Sequence, residues 1–328
     1  MSVFIGRKFN IGMGKESVRG TGVAATYWFP VMDFSVEDKI AVVVDESSRG
    51  IIEDATQQEV TLKYMEATLG GRITDQSFGL ILMAAFGTDT VGAVETGVKD
   101  HVFTILESAQ HPSMTIVASE PNASGASSLS YALSMLDQLE IDFAVGQWAT
   151  FKGTFRGNAN AAASSTPSFL SENAFNPQYC KAYFAASYGA LSGASAVNVR
   201  SAKIVIKKNV EDDLTIGNLS AADRYNKQFA VDGEMVLVYN SRTYIDTDML
   251  ADLLQAIRLQ AINTGVTIGV TSHPTLTVDF AKCKITEVAR TNKNNDVMLQ
   301  TIKFKAFYSV SDSIMLQVTL RNTVTAAY

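Results

Sequence analysis

The amino-acid sequence predicts a mainly β protein with short flanking helices, organised as two units of similar design. Three observations lead to this prediction. Segments in which apolar and polar residues alternate occur throughout the chain, and this period of two is typical of strands. Helical patterns are few and short. The same order of elements also recurs once in each half of the 328 residues, and such internal repetition is a strong guide to architecture.

Two alternating segments open each unit. DKIAVVVD at 38–45 is rich in β-branched residues, and AKIVIKKN at 202–209, half a chain further on, begins in the same way. EVTLKYMEA at 59–67 is the next alternating segment, and EMVLVYNS at 234–241 is its counterpart. We therefore expect two strands at equivalent places in each half.

A helix is predicted to follow these strands in each half. In the first half Thr74 is the expected N-cap and Gly87 the expected end. In the second half Asp246 is the expected N-cap of a helix that reaches about residue 260. Its predicted apolar stripe consists of Met249, Leu250, Leu253, Leu254 and Ile257.

Two His-Pro pairs complete the repeated pattern. His111 and His273 each precede a proline, and they are separated by nearly half the chain. Proline is tolerated where a strand begins, since it lacks a backbone donor, so each pair is interpreted as a strand entry. LEIDF at 139–143 and QTIKF at 300–304 then match at nearly the same separation. The whole pattern predicts a duplication.

The chain is predicted to divide into two domains near its middle. The first covers residues 1–155 and includes an N-terminal arm at 1–30 without clear periodicity. The second covers 156–328, and it begins with a long loop at 153–178 that is rich in Ala, Ser and Asn. Acidic side chains outnumber basic ones in 1–164, whereas basic ones are slightly in excess in 165–328.

Composition excludes several classes of function. The net charge of −6 argues against a nucleic-acid reader, which needs a basic patch. There is no apolar run long enough for a membrane anchor and no pattern typical of a signal peptide, so synthesis and folding in a cytoplasm are expected. The two cysteines are expected to be free thiols.

No motif for chemistry is found. GMGKES at 12–17 lacks the spacing of a phosphate-binding loop, and Glu16 would repel a phosphate. No group of residues has metal-ligand spacing, and no Gly-x-Ser-x-Gly nucleophile elbow is present. We therefore expect no catalytic residue, no cofactor and no metal.

Four stretches, taken in order, suggest a family. They are GKESVRGTGVAATYWFPV at 14–31, the strand and helix at 59–87, VRSAKIVIKKNVEDDLTIGN at 199–218 and FKAFYSVSDSIMLQVTLRNT at 304–323. Their order resembles the tail tube proteins, or major tail proteins, of long-tailed bacteriophages. The resemblance covers nearly the whole chain, although none of the motifs is a catalytic signature.

This resemblance implies a β-sandwich or barrel flanked by a helix, with no enzymatic activity. Such proteins form rings whose inner strands join into a β-lined channel. The rings stack along a tape-measure protein between the tail tip and the head, where a terminator protein ends the tube, and double-stranded DNA passes through transiently. The family usually places one domain per chain in a six-fold ring. Two domains per chain therefore imply a homotrimer with pseudo-six-fold symmetry, with a homohexamer as the alternative.

Candidate residues for these roles follow from the resemblance. Acidic residues facing the lumen are sought in loops and at strand ends, and the candidates are Asp45, Glu46, Glu53, Asp54, Glu211, Asp212 and Asp213. Segments without core patterning, at 1–30, 153–178 and 321–328, are expected to become ordered on a neighbouring ring. Within the middle segment the candidate contact residues are Gly157, Phe169 and Phe175.

Three other functions fit parts of the sequence. A receptor- or carbohydrate-binding phage component would expose an aromatic cluster and would not stack. A small hydrolase would depend on one of the three histidines. The tube of a contractile tail or a secretion machine would share the fold of the favoured interpretation, and the sequence does not distinguish sheathed from unsheathed tails.

Overall fold

The protein is a mainly β structure with one short α-helix. The computed structural model describes residues 3–122, 125–292 and 294–328, so the first two residues of the predicted arm lie outside the described ranges. Eighteen of its strands belong to one hydrogen-bonded network, and two more form a separate hairpin. Within these ranges no helix is long and apolar enough to cross a membrane.

The first half of the chain contributes ten strands and the α-helix. The strands are β1 (Asn10–Lys15), β2 (Tyr27–Phe29), β3 (Val31–Asp45), β4 (Gln57–Arg72), β5 (Thr90–Glu95), β6 (Val98–Thr104), β7 (Met114–Asn122), β8 (Gly125–Ala144), β9 (Thr150–Asn158) and β10 (Ala161–Ala163). The helix α1 covers Phe78–Phe86, and a 3-10 turn covers Gly6–Lys8.

The second half contributes the remaining strands. They are β11 (Cys180–Ala185), β12 (Ala196–Val197), β13 (Val199–Lys207), β14 (Glu211–Asp213), β15 (Asp223–Tyr225), β16 (Ala230–Val238), β17 (Gln255–Ile262), β18 (Thr275–Thr291), β19 (Leu299–Ala306) and β20 (Leu316–Asn322). Short helical turns cover Pro177–Tyr179, Tyr188–Gly193 and Tyr244–Met249, and the last of these is π-helical.

An eight-stranded antiparallel sheet runs through both halves. Its order is β3–β4–β9–β8–β13–β16–β19–β18. Along each central strand buried residues alternate with more exposed ones, so one face forms the core and the other meets solvent. The β8–β13 ladder, together with the β6–β20 ladder, crosses the predicted boundary near residue 155. The division into two domains stays a prediction.

The long strands β8 and β18 connect this sheet to the rest of the core. The first part of β8 pairs with β7 and β10, whereas its last part pairs with β9 and β13. The first part of β18 likewise pairs with β17 and β20, and its last part pairs with β19. β1 extends the β7 side, and β11 extends the β17 side. A single cluster of buried apolar side chains includes residues from both halves.

The first predicted helix exists, but it begins later than expected. Its N-cap is Ser77 rather than Thr74, and Glu172 accepts hydrogen bonds from the backbone N–H and the hydroxyl of Ser77. Thr74 instead shares a hydroxyl–hydroxyl hydrogen bond with Ser77. Gly87 ends the helix in a left-handed conformation with φ 86°, as predicted. All nine residues of α1 are buried, because β1, β6 and β8 pack around it.

The second predicted helix is wrong. The π-helical turn ends at Met249, Asp252 follows in the left-handed region with φ 54°, and β17 begins at Gln255. Residues 257–262 alternate as strictly as a strand requires, with Leu259 buried in the β17–β18 ladder. The leucines of the expected stripe are exposed, Leu250 to 68%. Apolar spacing alone therefore favoured a helix where long-range pairing produced a strand.

Parts of the expected arm, loop and tail belong to the core. Met13 of β1 and Trp28 of β2 are buried, so the arm is not an extended appendage. The predicted loop at 153–178 contains the end of β9 and all of β10. Tyr328 is buried, and its hydroxyl donates to the backbone oxygen of Gln76. These segments lack a long apolar period because each contributes only a few core residues.

Candidate assembly surfaces

A two-stranded ribbon projects from one edge of the main sheet. β3 and β4 pair along their whole lengths, but β9 joins β4 only from Tyr64 onward. Residues 40–63 therefore form a hairpin with no further strand beside it in the described part of the chain. We call residues 40–63 the ribbon.

The ribbon carries an unusual number of exposed apolar side chains. The set comprises Ile40, Val42, Val43, Val44, Ile51 and Ile52. Val43 is 56% exposed, and Ile52 is fully exposed. A group of exposed apolar side chains of this kind is typical of interaction sites, because their removal from water is favourable. The β-branched residues that predicted the strand are thus also those that favour a partner.

Both ends of the eight-stranded sheet are open edges. In the described chain β3 pairs with β4 alone, and residues 284–291 of β18 pair with β19 alone. An open edge presents unpaired backbone N–H and C=O groups, which another strand can satisfy. The sheet can therefore be extended at each end.

The solvent-facing side of this sheet is lined by mixed charges. Four ion pairs involve neighbouring strands on it: Lys39 with Glu66, Lys203 with Glu140 at 2.7 Å, Lys207 with Asp232 at 3.8 Å and Lys303 with Glu287 at 2.9 Å. Each of these lysines faces a carboxylate, so none presents an unbalanced positive charge. The period-two pattern alone could have placed these residues on one face.

The predicted lumen acids of the first half lie at the tip of the ribbon. Asp45 ends β3, where its carboxylate accepts hydrogen bonds from the Ser47 N–H and from Thr56 and Arg49. These bonds, with those from Ser47 the strongest, lower the pKa of Asp45 to about 2. The other three candidates, Glu46, Glu53 and Asp54, are exposed in the loop that closes the ribbon.

Those of the second half lie in the β14–β15 hairpin and are engaged in contacts. The Asp212 carboxylate accepts from Arg224 Nε at 2.8 Å and pairs with Arg156 at 3.1 Å. Asp213 accepts from the Tyr225 hydroxyl, and Glu211 pairs with Lys227. The structure thus brings the candidates together in two hairpins and leaves the sheet face to other residues.

The three candidate contact residues differ in exposure. Gly157 lies within β9 and is buried, and a Cβ there would meet the Ser134 hydroxyl at 2.5 Å. Phe175 is 1% exposed, and its backbone bonds to Ile73 and Ala149. Phe169 is half exposed and lines an open groove of about 550 Å³. Of these three residues, only Phe169 has a side chain that a neighbouring copy could contact.

Two buried charged residues are structural features that sequence reasoning missed. Glu16, rejected as part of a phosphate loop, accepts from Thr115 Oγ1 at 2.9 Å and from Leu133 N at 2.8 Å. It therefore ties β7 and β8 to the segment after β1. Arg224 is fully buried. The sequence carries no signal for either residue, because each adjoins another charged residue, Lys15 or Asp223, as charged residues on surfaces often do.

Few groups in the described ranges are suited to chemistry. No cluster of three or more His, Cys, Asp or Glu residues there could hold a metal ion. Burial raises the pKa of the Cys180 thiol to about 12, and burial also raises that of Cys283. The notable surfaces are therefore the ribbon and the open sheet edges, which suit protein contacts.

Comparison with known proteins identifies the family. A family model described as phage tail tube protein matches residues 6–306. No curated protein matches the chain. The match covers most of the 328 residues and includes every strand of the eight-stranded sheet. It confirms the resemblance inferred from the order of the motifs, and the chain belongs to the phage tail tube protein family.

Proposed function

We propose that this chain polymerises as stacked rings into the tail tube and that the tube conducts the genome into the host. The family implies a structural component of the virion tail. The observation that carries the proposal is the pair of open edges on one continuous sheet. A sheet with two open edges can close on itself through copies of the same chain, which leaves no edge exposed.

The charge pattern supports a channel for DNA. A lumen rich in unpaired Lys and Arg would bind phosphates and slow the passage of a duplex. On the solvent face of the sheet Lys39, Lys203, Lys207 and Lys303 each lie beside a carboxylate. If this face lines the lumen, the DNA meets these four lysines as ion pairs, while exposed Lys152 and Lys305 on the same face form none in the described chain.

The remaining partners follow from this role. The tube would surround a tape-measure protein and would contact the tail tip at one end and a terminator protein at the other. Assembly from the free chain would take place in the host cytoplasm. The role is structural, with no reaction at any site, and a homotrimer is the favoured ring.

Electron microscopy of the purified protein tests the proposal. We expect rings or tubes of constant diameter, with three copies per ring. Particles that stay monomeric at high concentration would contradict the proposal and would favour a β-rich receptor- or carbohydrate-binding component. Six copies per ring would keep the tube and replace the trimer by the hexamer.

A further inference from the structure

We propose that the ring closes where the free edge of β3 in one copy pairs with residues 284–291 of β18 in a second copy. This inference rests on the proposed function. The basis for it is the pairing of β8 with β13 inside the chain, which joins the two halves in the same way. We call this pairing the internal joint.

The strand order of the first half recurs in the second half. The first order is β3–β4–β9–β8–β7–β1–β2, and the second is β13–β16–β19–β18–β17–β11–β12. β10 and β20 also correspond, because each pairs with the first part of β8 or of β18. β14 and β15 take the place of the outer ribbon.

Most irregularities of these ladders coincide as well. The β3–β4 ladder shifts register at Met32, and the β13–β16 ladder shifts at Arg200, near the start of the equivalent strand. The β8–β9 ladder shifts at Asp137, and the β18–β19 ladder shifts at Thr286, in the last part of each long strand. A bulge changes which face each following residue occupies, so matched bulges define a residue-by-residue correspondence.

This correspondence corrects the one predicted from the His-Pro pairs. β7 matches β17, and β8 matches β18. His111 lies before β7 and His273 lies before β18, so the two histidines enter strands at different places. They do share the predicted position before a strand, but their spacing of half the chain does not reflect equivalent sites.

The joint between β8 and β13 shows how one half continues into the other. Ile204 of β13 lies opposite Ile141 of β8, and both side chains are fully buried. Lys203 lies opposite Asp142 on the solvent-facing side. The first strand of the second half thus completes the sheet beside the long strand of the first half.

The corresponding strands at the outer edges have no such neighbour in the described chain. β3 corresponds to β13, and the end of β18 corresponds to the end of β8. Val36, the counterpart of Ile204, is only partly buried, and Arg290, the counterpart of Ile141, is exposed. The two edges therefore resemble the internal joint with its partner removed, and a second copy of this chain supplies both missing partners.

The internal register predicts the register between copies. Transferring it places Val36 opposite Arg290, Glu37 opposite Ala289 and Lys39 opposite Glu287. Opposite charges directly across a ladder stabilise the pairing. A shift by one residue would place core-facing residues of one strand opposite solvent-facing residues of the other, and this mismatch disfavours the shifted pairing.

Cysteine cross-linking tests this register in the assembled protein. The matched variant carries Glu37→Cys and Ala289→Cys. The control carries Ser35→Cys and Glu287→Cys, which the register separates by four residues, or about 13 Å. Wild-type protein with its two buried or partly buried cysteines serves as the blank. After mild oxidation of rings we expect at least tenfold more covalent multimer from the matched variant, and reductant should reverse it. In a three-copy ring the ladder of products ends at the trimer.

Two further results separate this inference from the proposed function. Rings in the microscope with no excess of cross-linking from the matched variant would overturn the register and leave the tube intact. Absence of rings from the wild-type chain would overturn the function itself. If the cysteine variants fail to assemble, Ala289→Asp and Ala289→Lys provide the test, because the register places Ala289 opposite Glu37 of the neighbouring copy. Ala289→Asp should reduce ring formation several-fold and Ala289→Lys should not, whereas equal ring formation by the two variants would contradict the pairing.

Discussion

At the scale of single residues, one buried cation, Arg224, stabilises the contact between the two halves. The Arg224 guanidinium donates to Asp212 Oδ1 and Asn158 Oδ1 at 2.8 Å each, and to the backbone oxygens of Leu133 and Gly157. Its charge is thus compensated by one carboxylate and several oxygens. This side chain holds the hairpin β14–β15 against β8 and β9 together with the Arg156–Asp212 ion pair.

Replacing Arg224 by Ala is expected to destabilise the fold by about 3 kcal/mol, because buried Asp212 would keep only Arg156 as a cationic partner and Asn158 would lose its donor. Urea unfolding followed by circular dichroism measures the loss. The matched control is Arg242→Ala, which removes an exposed pair with Asp246 and should cost less than about 0.5 kcal/mol. Equal losses in both variants would show that the buried network stabilises the fold no more than an exposed ion pair does.

His111 is expected to make the fold sensitive to acid. Burial, with smaller effects from the charges of Lys208 and Arg19, lowers the pKa of His111 to about 3. The folded state therefore keeps this side chain neutral, while the unfolded chain gains a proton below about pH 6.5. The stability linked to it is complete above that pH, and it is lost as the pH falls toward 3, by up to about 1.4 kcal/mol per pH unit.

A His111→Asn variant isolates this effect. We expect its free energy of unfolding to fall less steeply than that of wild type between pH 6 and pH 4, although the variant is less stable at pH 7 because packing is lost. The measurement is urea unfolding at each pH. Parallel curves for the two proteins would contradict a depressed pKa at His111.

At the scale of elements, α1 and β17 show what local pattern can and cannot predict. The local pattern predicts α1 and its end at Gly87, although the N-cap is Ser77 and not the predicted Thr74. β17 was predicted as helix since Leu250, Leu253 and Leu254 fit a helical stripe. Those leucines remain exposed, and the strand begins after them. Spacing cannot tell that β11 and β18 flank this segment and supply its hydrogen bonds.

The ribbon is the element whose change should block assembly without unfolding the chain. Val42 and Val44 are each about 40% exposed and face no core in the described structure. Val42→Asp with Val44→Asp is expected to change the free energy of unfolding by less than about 1 kcal/mol. It should reduce rings or tubes at least tenfold, because a partner would have to bury two carboxylates.

Val94→Asp is the control for this experiment, since Val94 is similarly exposed on β5 outside the ribbon. It should assemble as wild type does. Sedimentation and electron microscopy report assembly, and thermal unfolding reports the fold. Normal tubes from the doubly substituted ribbon would exclude it from the contacts between copies.

At the scale of the whole molecule, the two halves share hydrogen bonds and core. The β8–β13 and β6–β20 ladders join them, and the buried apolar cluster includes residues of both. We expect the unassembled chain to unfold in one cooperative transition, with calorimetric and van't Hoff enthalpies in agreement. Differential scanning calorimetry measures both, at low protein concentration to keep copies apart.

Two separate transitions would contradict this expectation and would favour two independent domains. The variant Ile204→Ala sharpens the test, because it weakens the core at the β8–β13 joint. It should lower the midpoint temperature of the whole transition and reduce the free energy of unfolding by roughly 2–5 kcal/mol. A shift in only one part of the heat-capacity curve would again indicate independent halves.

The sequence by itself determined the class of most strands in the eight-stranded sheet, the end of α1 and membership in the tail tube family. Alternation and a helix-ending glycine are local properties of the backbone, so they can be seen in one segment at a time. Only the tertiary structure decided which strands are neighbours, that β3 and the end of β18 are free edges, and that Arg224 and Phe175 are buried. These depend on pairings between segments far apart in the chain, and similar alternating segments have many possible partners until the fold selects one.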